Sequence, residues 1–165
     1  MTQKWPKQSE CDTFYGNPRG RNGMASGKWE SDNLCYIEPP FKMTYGGRPV
    51  KRIRVHKKCS ESLLRIFNTI WESYNKSQSQ IDSTGVSVYG GAYNYRLMRG
   101  GSSLSMHSWG CAIDLDPGRN GFHDTTPNFM NHPKIIKAFE DEGWIWGGRW
   151  SGRSCDGMHF QAART

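Results

Sequence analysis

The sequence predicts an α+β fold, and three patterns predict it. An apolar stripe at helical spacing runs through Leu63, Leu64, Phe67, Ile70, Trp71 and Tyr74, and a shorter one follows Pro133. Residues 111–116 instead alternate apolar and carboxylate side chains with the period of two that belongs to a strand. A length of 165 residues suits one domain, 1–165, divided into an N-terminal extension (1–49) packed on a core (50–162).

Residues 1–49 are rich in Gly, Pro, Asn and Arg, as in Tyr15-Gly16-Asn17-Pro18-Arg19-Gly20, and read as loops and short strands wrapped on the core. As a free tail they would leave Trp5, Phe14, Tyr15, Trp29, Tyr36 and Phe41 in water. Val50 to Val55 alternates as a short strand. Ser60 is the expected N-cap of the first helix, with Glu61 supplying negative charge in its first turn. Asn75 to Gly85 is polar and reads as a surface loop. Val86 to Arg96 carries β-branched and aromatic residues around Gly90-Gly91, which fits a strand with a bend.

Beyond the Gly100-Gly101-Ser102-Ser103 loop comes the alternating strand. Cys111, Ile113 and Leu115 share one face, while Ala112, Asp114 and Asp116 share the other, so carboxylates line one side. Pro133 in a first turn, Ile135, Ile136, Phe139 and a closing Gly143 mark a second helix. Trp144 to Gly148 and Met158 to Gln161 read as two further strands joined by a basic loop.

Composition excludes several classes. Aromatic residues make up 13% of the chain, 7 of them Trp, which argues against disorder. The apolar runs fall far short of the ~20 residues of a membrane-spanning helix. The basic start, Met1 to Lys7, is followed by no apolar signal-peptide core. Five scattered cysteines without a C-x-x-C pair point to a reducing compartment. A net charge of +7 favours an anionic partner, whether nucleic acid, a membrane surface or an acidic polymer such as cell wall.

His107 and Asp114, seven apart across a turn at Gly110, could give one metal ion an imidazole and a carboxylate, with the third ligand coming from elsewhere. His56 sits among lysines, and His123 and His132 lie in a Gly/Asn/Pro loop. His159 stands in an apolar strand where Val or Ile would be usual. Cys111 and Cys155 flank these residues, but Cys111 falls on the face opposite Asp114. Asp116 could hold a second cation, orient His107, or cap the Asp-Pro-Gly turn. Trp109, Trp144, Trp146 and Trp150 could line a groove, and Trp144 and Trp146, sharing a strand face, are better read as core.

Ser105-x-His107-x-x-Gly110-x-Ala112-x-Asp114 resembles the first motif of the zinc D-alanyl-D-alanine carboxypeptidases, a family that includes VanY-like peptidases and phage L-alanyl-D-glutamate endolysins. Trp146-Gly147-Gly148-x-Trp150, followed by Asp156-x-x-His159-Phe160-Gln161, is similar to the C-terminal signature of the endolysin and VanY-like branch. The resemblance covers about residues 50–162. It implies a small antiparallel sheet flanked by helices with zinc on the sheet, as in hedgehog and DD-peptidase folds. His107, Asp114 and His159 would bind Zn2+ and Asp156 would be the catalytic base. Arg96 would hold a substrate carbonyl or carboxylate, with Arg99 as competitor. Asp156 and His159, three apart, would point to opposite faces of a straight strand, so the chain must bend there, and Gly157 would permit it.

The implied activity is zinc-dependent hydrolysis of peptidoglycan stem peptides by a monomer, with no specific nucleic acid and no membrane span. Asp156-x-x-His159 followed by Phe160-Gln161 resembles the L-alanyl-D-glutamate endolysin branch more than the dipeptidase and VanX-like branch, and D-Ala-D-Ala carboxypeptidase activity of the same family is the alternative. Without a signal peptide such an enzyme would wait in the host cytoplasm until released to the wall at lysis. A nucleic-acid-binding phage protein gripping phosphates through Lys51, Arg52, Arg54, Lys57 and Lys58 is the rival of another class. An inactive zinc-bearing wall-binding domain is a second rival, and it would lack the base.

Overall fold

The computed structural model describes residues 5–165; Met1 to Lys4, which open the basic N-terminal stretch, lie outside the described residues. The N-terminal part holds more regular structure than its composition predicts. Two short helices, α1 (Cys11–Tyr15) and α2 (Gly27–Asn33), precede four strands, β1 (Leu34–Ile37), β2 (Met43–Tyr45), β3 (Arg48–Val50) and β4 (Ile53–His56). Ser26 caps α2 by accepting from the Trp29 amide at 3.2 Å. β1 pairs antiparallel with β4 from Leu34↔His56 to Ile37↔Ile53, and β2 pairs with β3. The single strand expected over 50–55 is therefore split, its ends belonging to two different ribbons.

Large rings anchor this region. Trp5, Tyr15, Trp29 and Phe41 are buried. At ~25 cal/mol per Å², burying the ~150–250 Å² of such a ring contributes about 4–6 kcal/mol before entropy is charged against it. Tyr36 departs from the expectation and is 51% exposed. It stands on the outward face of β1 beneath the Arg52 and Arg54 guanidinium groups, 4.1 and 5.9 Å from its ring centre.

The long helix α3 spans Lys57–Ser73 and begins three residues before the expected cap. The cap is His56, whose Nδ1 accepts the Lys58 amide at 3.0 Å. Ser60 lies inside the first turn, its hydroxyl donating to Lys57 O. Cys59, Leu63, Ile66, Phe67 and Ile70 form the buried stripe of α3. The stretch expected to be a loop contains α4 (Gln78–Thr84), capped by Ser77 and pinned through Ile81 and Thr84. Two inward residues make too weak a period to read from sequence. Among the described residues no helix is long and apolar enough to cross a membrane.

The second half forms an antiparallel sheet ordered β5-β6-β8-β7, where β5 is Tyr89–Gly91, β6 Ala112–Leu115, β7 Ile145–Trp146 and β8 His159–Gln161. Helix α5 (Pro133–Asp141) opens on proline as expected and packs against α3. The expected strand over 86–96 shrinks to three residues, with a register shift at Gly90. Only Ile145 and Trp146 of the 144–148 segment pair, because Gly147–Arg149 turns away as a 3-10 helix. One sheet face is apolar: Phe160 stacks on Phe139 at 4.0 Å and lies beside Trp146. Trp144 is also core, donating to Ser62 Oγ at 2.9 Å. The other face carries Asp114 and His159.

Candidate metal centre

His107 lies in a buried 3-10 turn, Met106–Trp109, capped by Ser105, whose hydroxyl accepts the His107 amide at 3.3 Å. The turn closes on Gly110 at φ +70°, where a Cβ would sit 2.8 Å from His56 N, so both the left-handed backbone and the close approach require glycine. From there the chain enters β6. Cys111, Ile113 and Leu115 go into the core as the alternation predicts, and Asp114 goes to the opposite face. Asp114 and His159 are direct cross-strand partners in the β6–β8 register, which places their side chains next to each other.

The donor atoms of His107, Asp114 and His159 all lie within 4.8 Å of one another. Each imidazole has one nitrogen satisfied on the far side. His107 Nδ1–H donates to Ala92 O at 2.7 Å, and His159 Nε2 lies 2.8 Å from Gln161 Oε1. The other nitrogen of each points at the carboxylate: His107 Nε2 is 3.2 Å from Asp114 Oδ2, and His159 Nδ1 is 3.2 Å from Asp114 Oδ1. Among the described residues, His107 Nε2 is buried and has no hydrogen-bond partner. Orphaned buried polar atoms are rare and call for a ligand. Two imidazoles and one carboxylate are a donor set suited to zinc, leaving a fourth tetrahedral position for water or substrate.

Electrostatics describe the same hole. Burial pushes the Asp114 carboxyl up, but the His107 and His159 rings facing it and their charge overcome this and hold it below the usual carboxylate range. Burial likewise lowers His159, yet its bond to Asp114 and the charges of Asp114 and Asp156 raise it on balance.

Asp156 stands outside the converging trio. A turn brings it close, His159 N donating to Asp156 O at 3.1 Å, and β8 begins only at His159, so the expected bend exists. Gly157 is required there by space: a Cβ would collide with the Pro127 ring, while its φ lies outside the left-handed region. Asp156 Oδ1 is buried and has no hydrogen-bond partner among the described residues. Burial raises its pKa; His159 opposes this and Asp114 adds to it. A carboxylate with a free oxygen and a pKa moved toward neutrality has the attributes of a general base.

These groups open on a cleft of about 710 Å³ lined also by Arg96, Arg99, Phe122 and Trp150. The Trp150 ring lies 5.7 Å from that of His159. Both arginines reach the cleft. Ser105 and Ser108 hold the Arg96 backbone, while the Arg99 guanidinium rests 5.4 Å from the Phe122 ring centre. Trp109 is buried, donating to Asp12.

The remaining sequence candidates lie elsewhere. Cys111 is buried, donating to Met106 O, and Cys155 donates to Asp124 O. Asp116 does not join Asp114: β6 ends at Leu115, Asp116 takes φ +48°, and its carboxylate pairs with Arg119 Nε at 2.8 Å. The turn amides of Arg119 and Asn120 go to the Asp116 main-chain oxygen, so the carboxylate acts as the partner of Arg119 and not as the expected cap. Sequence reasoning missed Gln161 as a partner of His159, although a buried glutamine in an apolar strand is itself a signal.

The model of the D-alanyl-D-alanine carboxypeptidase family matches residues 99–162, less than half the chain but the part that carries His107, Asp114, Asp156 and His159. No curated protein and no solved structure matches this chain.

Proposed function

We propose that this protein is a zinc-dependent peptidase of the D-alanyl-D-alanine carboxypeptidase and VanY-like family that hydrolyses peptidoglycan stem peptides, of the L-alanyl-D-glutamate endolysin type. The carrying observation is the convergence of His107 Nε2, His159 Nδ1 and the Asp114 carboxylate beside the unpartnered Asp156 Oδ1. His107, Asp114 and His159 would hold the zinc. When bound, zinc supplies Lewis acidity to polarise a carbonyl and acidify water.

Asp156 takes the proton of the attacking water on its free oxygen and returns it to the departing amine, a contribution of about 10²–10⁴-fold. Arg96 or Arg99 neutralises a substrate carboxylate at the cleft. The Trp150 ring borders the cleft on the His159 side.

D-Ala-D-Ala carboxypeptidase activity is the alternative that the family match supports equally. Mass spectrometry of purified peptidoglycan digested by the zinc-loaded protein separates the two. A new L-alanine C-terminus is the expected product, whereas loss of terminal D-alanine alone assigns the carboxypeptidase. Intact peptidoglycan, together with tight, salt-dependent duplex DNA binding, would overturn the peptidase reading.

A further inference from the structure

Both ends of the buried Gln161 amide are used. Its Nε2 donates to Ala163 O at 2.8 Å and to Gln8 Oε1 at 2.8 Å. A main-chain carbonyl cannot donate, so this end is the NH2 group and the other end is the carbonyl oxygen. That oxygen lies 2.8 Å from His159 Nε2, which must therefore carry the ring hydrogen, leaving the lone pair on Nδ1, the atom 3.2 Å from Asp114. The polarity of the whole row is set by one carbonyl, that of Ala163.

Gln8 reaches this row from the opposite end of the chain. Lys7 and Arg164 form a parallel bridge; Gln8 N donates to Arg164 O at 2.8 Å and Arg164 N to Pro6 O at 2.7 Å. The Arg164 guanidinium binds Trp5 O at 2.9 Å, and the Trp5 indole donates to Glu142 O at 2.9 Å. This clamp holds Gln8 against Gln161 at the cleft wall.

We propose that Gln161 and Gln8 are positioning residues of the metal centre, which makes the N-terminal segment, outside the 99–162 match, a working part of it. Gln161 selects the His159 tautomer that presents Nδ1 to the ion, and Gln8 holds the Gln161 amide in the required orientation. The proposal rests on the zinc reading above but concerns the residues behind the ligands.

The test is zinc affinity, measured on the full-length chain by competition with a chromophoric chelator, together with ¹⁵N NMR of the histidine rings in metal-free protein above the titration of His159. Gln161→Leu is expected to weaken zinc by about 10–100-fold, the usual effect of removing such a partner, and to leave His159 a mixture of tautomers. Gln8→Leu, at the half-exposed end of the row, is expected to weaken it by up to about 10-fold. Gln8→Glu keeps an acceptor for Gln161 Nε2 and is expected to restore parental affinity. Parental affinity and a pure Nε2–H tautomer in Gln161→Leu would overturn the proposal. Where Gln161→Leu does not fold, equal affinity in Gln8→Leu, Gln8→Glu and the parent overturns it. A parent chain that binds no zinc instead fails the proposed function, and the tautomer measurement, which needs no metal, still decides the row.

Discussion

The β1–β4 corner and the β6–β8 centre each bury histidine, and they treat it in opposite ways. At the corner, His56 satisfies both ring nitrogens on backbone: Nε2–H donates to Tyr15 O at 2.9 Å and Nδ1 accepts the Lys58 amide. Tyr15 and Trp29 pack around the ring. Burial pushes its pKa down to about 4, so it stays neutral. At the centre, His107 and His159 each satisfy one nitrogen on an uncharged acceptor and turn the other toward the Asp114 carboxylate. A saturated ring is part of the scaffold, and a half-saturated ring facing a carboxylate is prepared for a cation.

That contrast is most severely tested by removing one ring from each region. His107→Ala is expected to lose zinc and reduce stem-peptide cleavage to background while the fold survives, as read by metal analysis and circular dichroism. His56→Ala is expected to keep stoichiometric zinc and lose about 2–4 kcal/mol of stability in urea unfolding, from the helix cap and the buried ring together. Reversal of these two outcomes would exchange the roles of the two regions.

The pH dependence of stability sharpens the comparison at smaller scale. His56 has a folded pKa near 4, below its ordinary 6.5. The unfolded chain therefore takes up the proton first as pH falls. Stability from this group is present above pH 6.5, declines between 6.5 and 4, and is gone below that, a loss of about 3 kcal/mol. Urea midpoints across this window check it. A His56→Gln chain is expected to lose that part of the slope.

The smallest expected effect lies on the exposed face of the corner. Arg52 and Arg54 lie over Tyr36, while Lys57 and Lys58 already donate to Asp32 O and Phe14 O. Reversing Arg52 and Arg54 to Glu is expected to slow lysis of whole envelopes at low salt by up to about 10-fold and to spare cleavage of a short soluble stem peptide. Equal slowing on both substrates would place these arginines in the cleft's own chemistry.

The two regions were also unequally legible in the sequence. His107 and Asp114 offer an imidazole and a carboxylate and His159 stands out in an apolar strand, but only the resemblance of two motifs joins them into one set; the alternation around Asp114 assigns its face correctly. The corner could be built from many residues. The cap of α3 is a histidine, His56, where the sequence favours Ser60, and α4 hides in a polar stretch with two inward residues. Gln8 carries no local signal at all, because its meaning comes from the Lys7–Arg164 bridge, a contact between chain ends. The sequence points to Gly157 for the bend, and the structure shows that it is needed for clearance from Pro127, a neighbour distant in sequence.

The central claim is that three side chains bind the ion while a fourth, Asp156, is left free to move a proton. Asp156→Asn keeps the size and removes the basicity. Measured on one preparation, zinc content is expected to stay at one ion per chain while cleavage of a stem peptide falls by about 10²–10⁴-fold. Loss of the zinc would make Asp156 a ligand, and undiminished cleavage with zinc retained would deny it any part in proton transfer; either result would contradict the account.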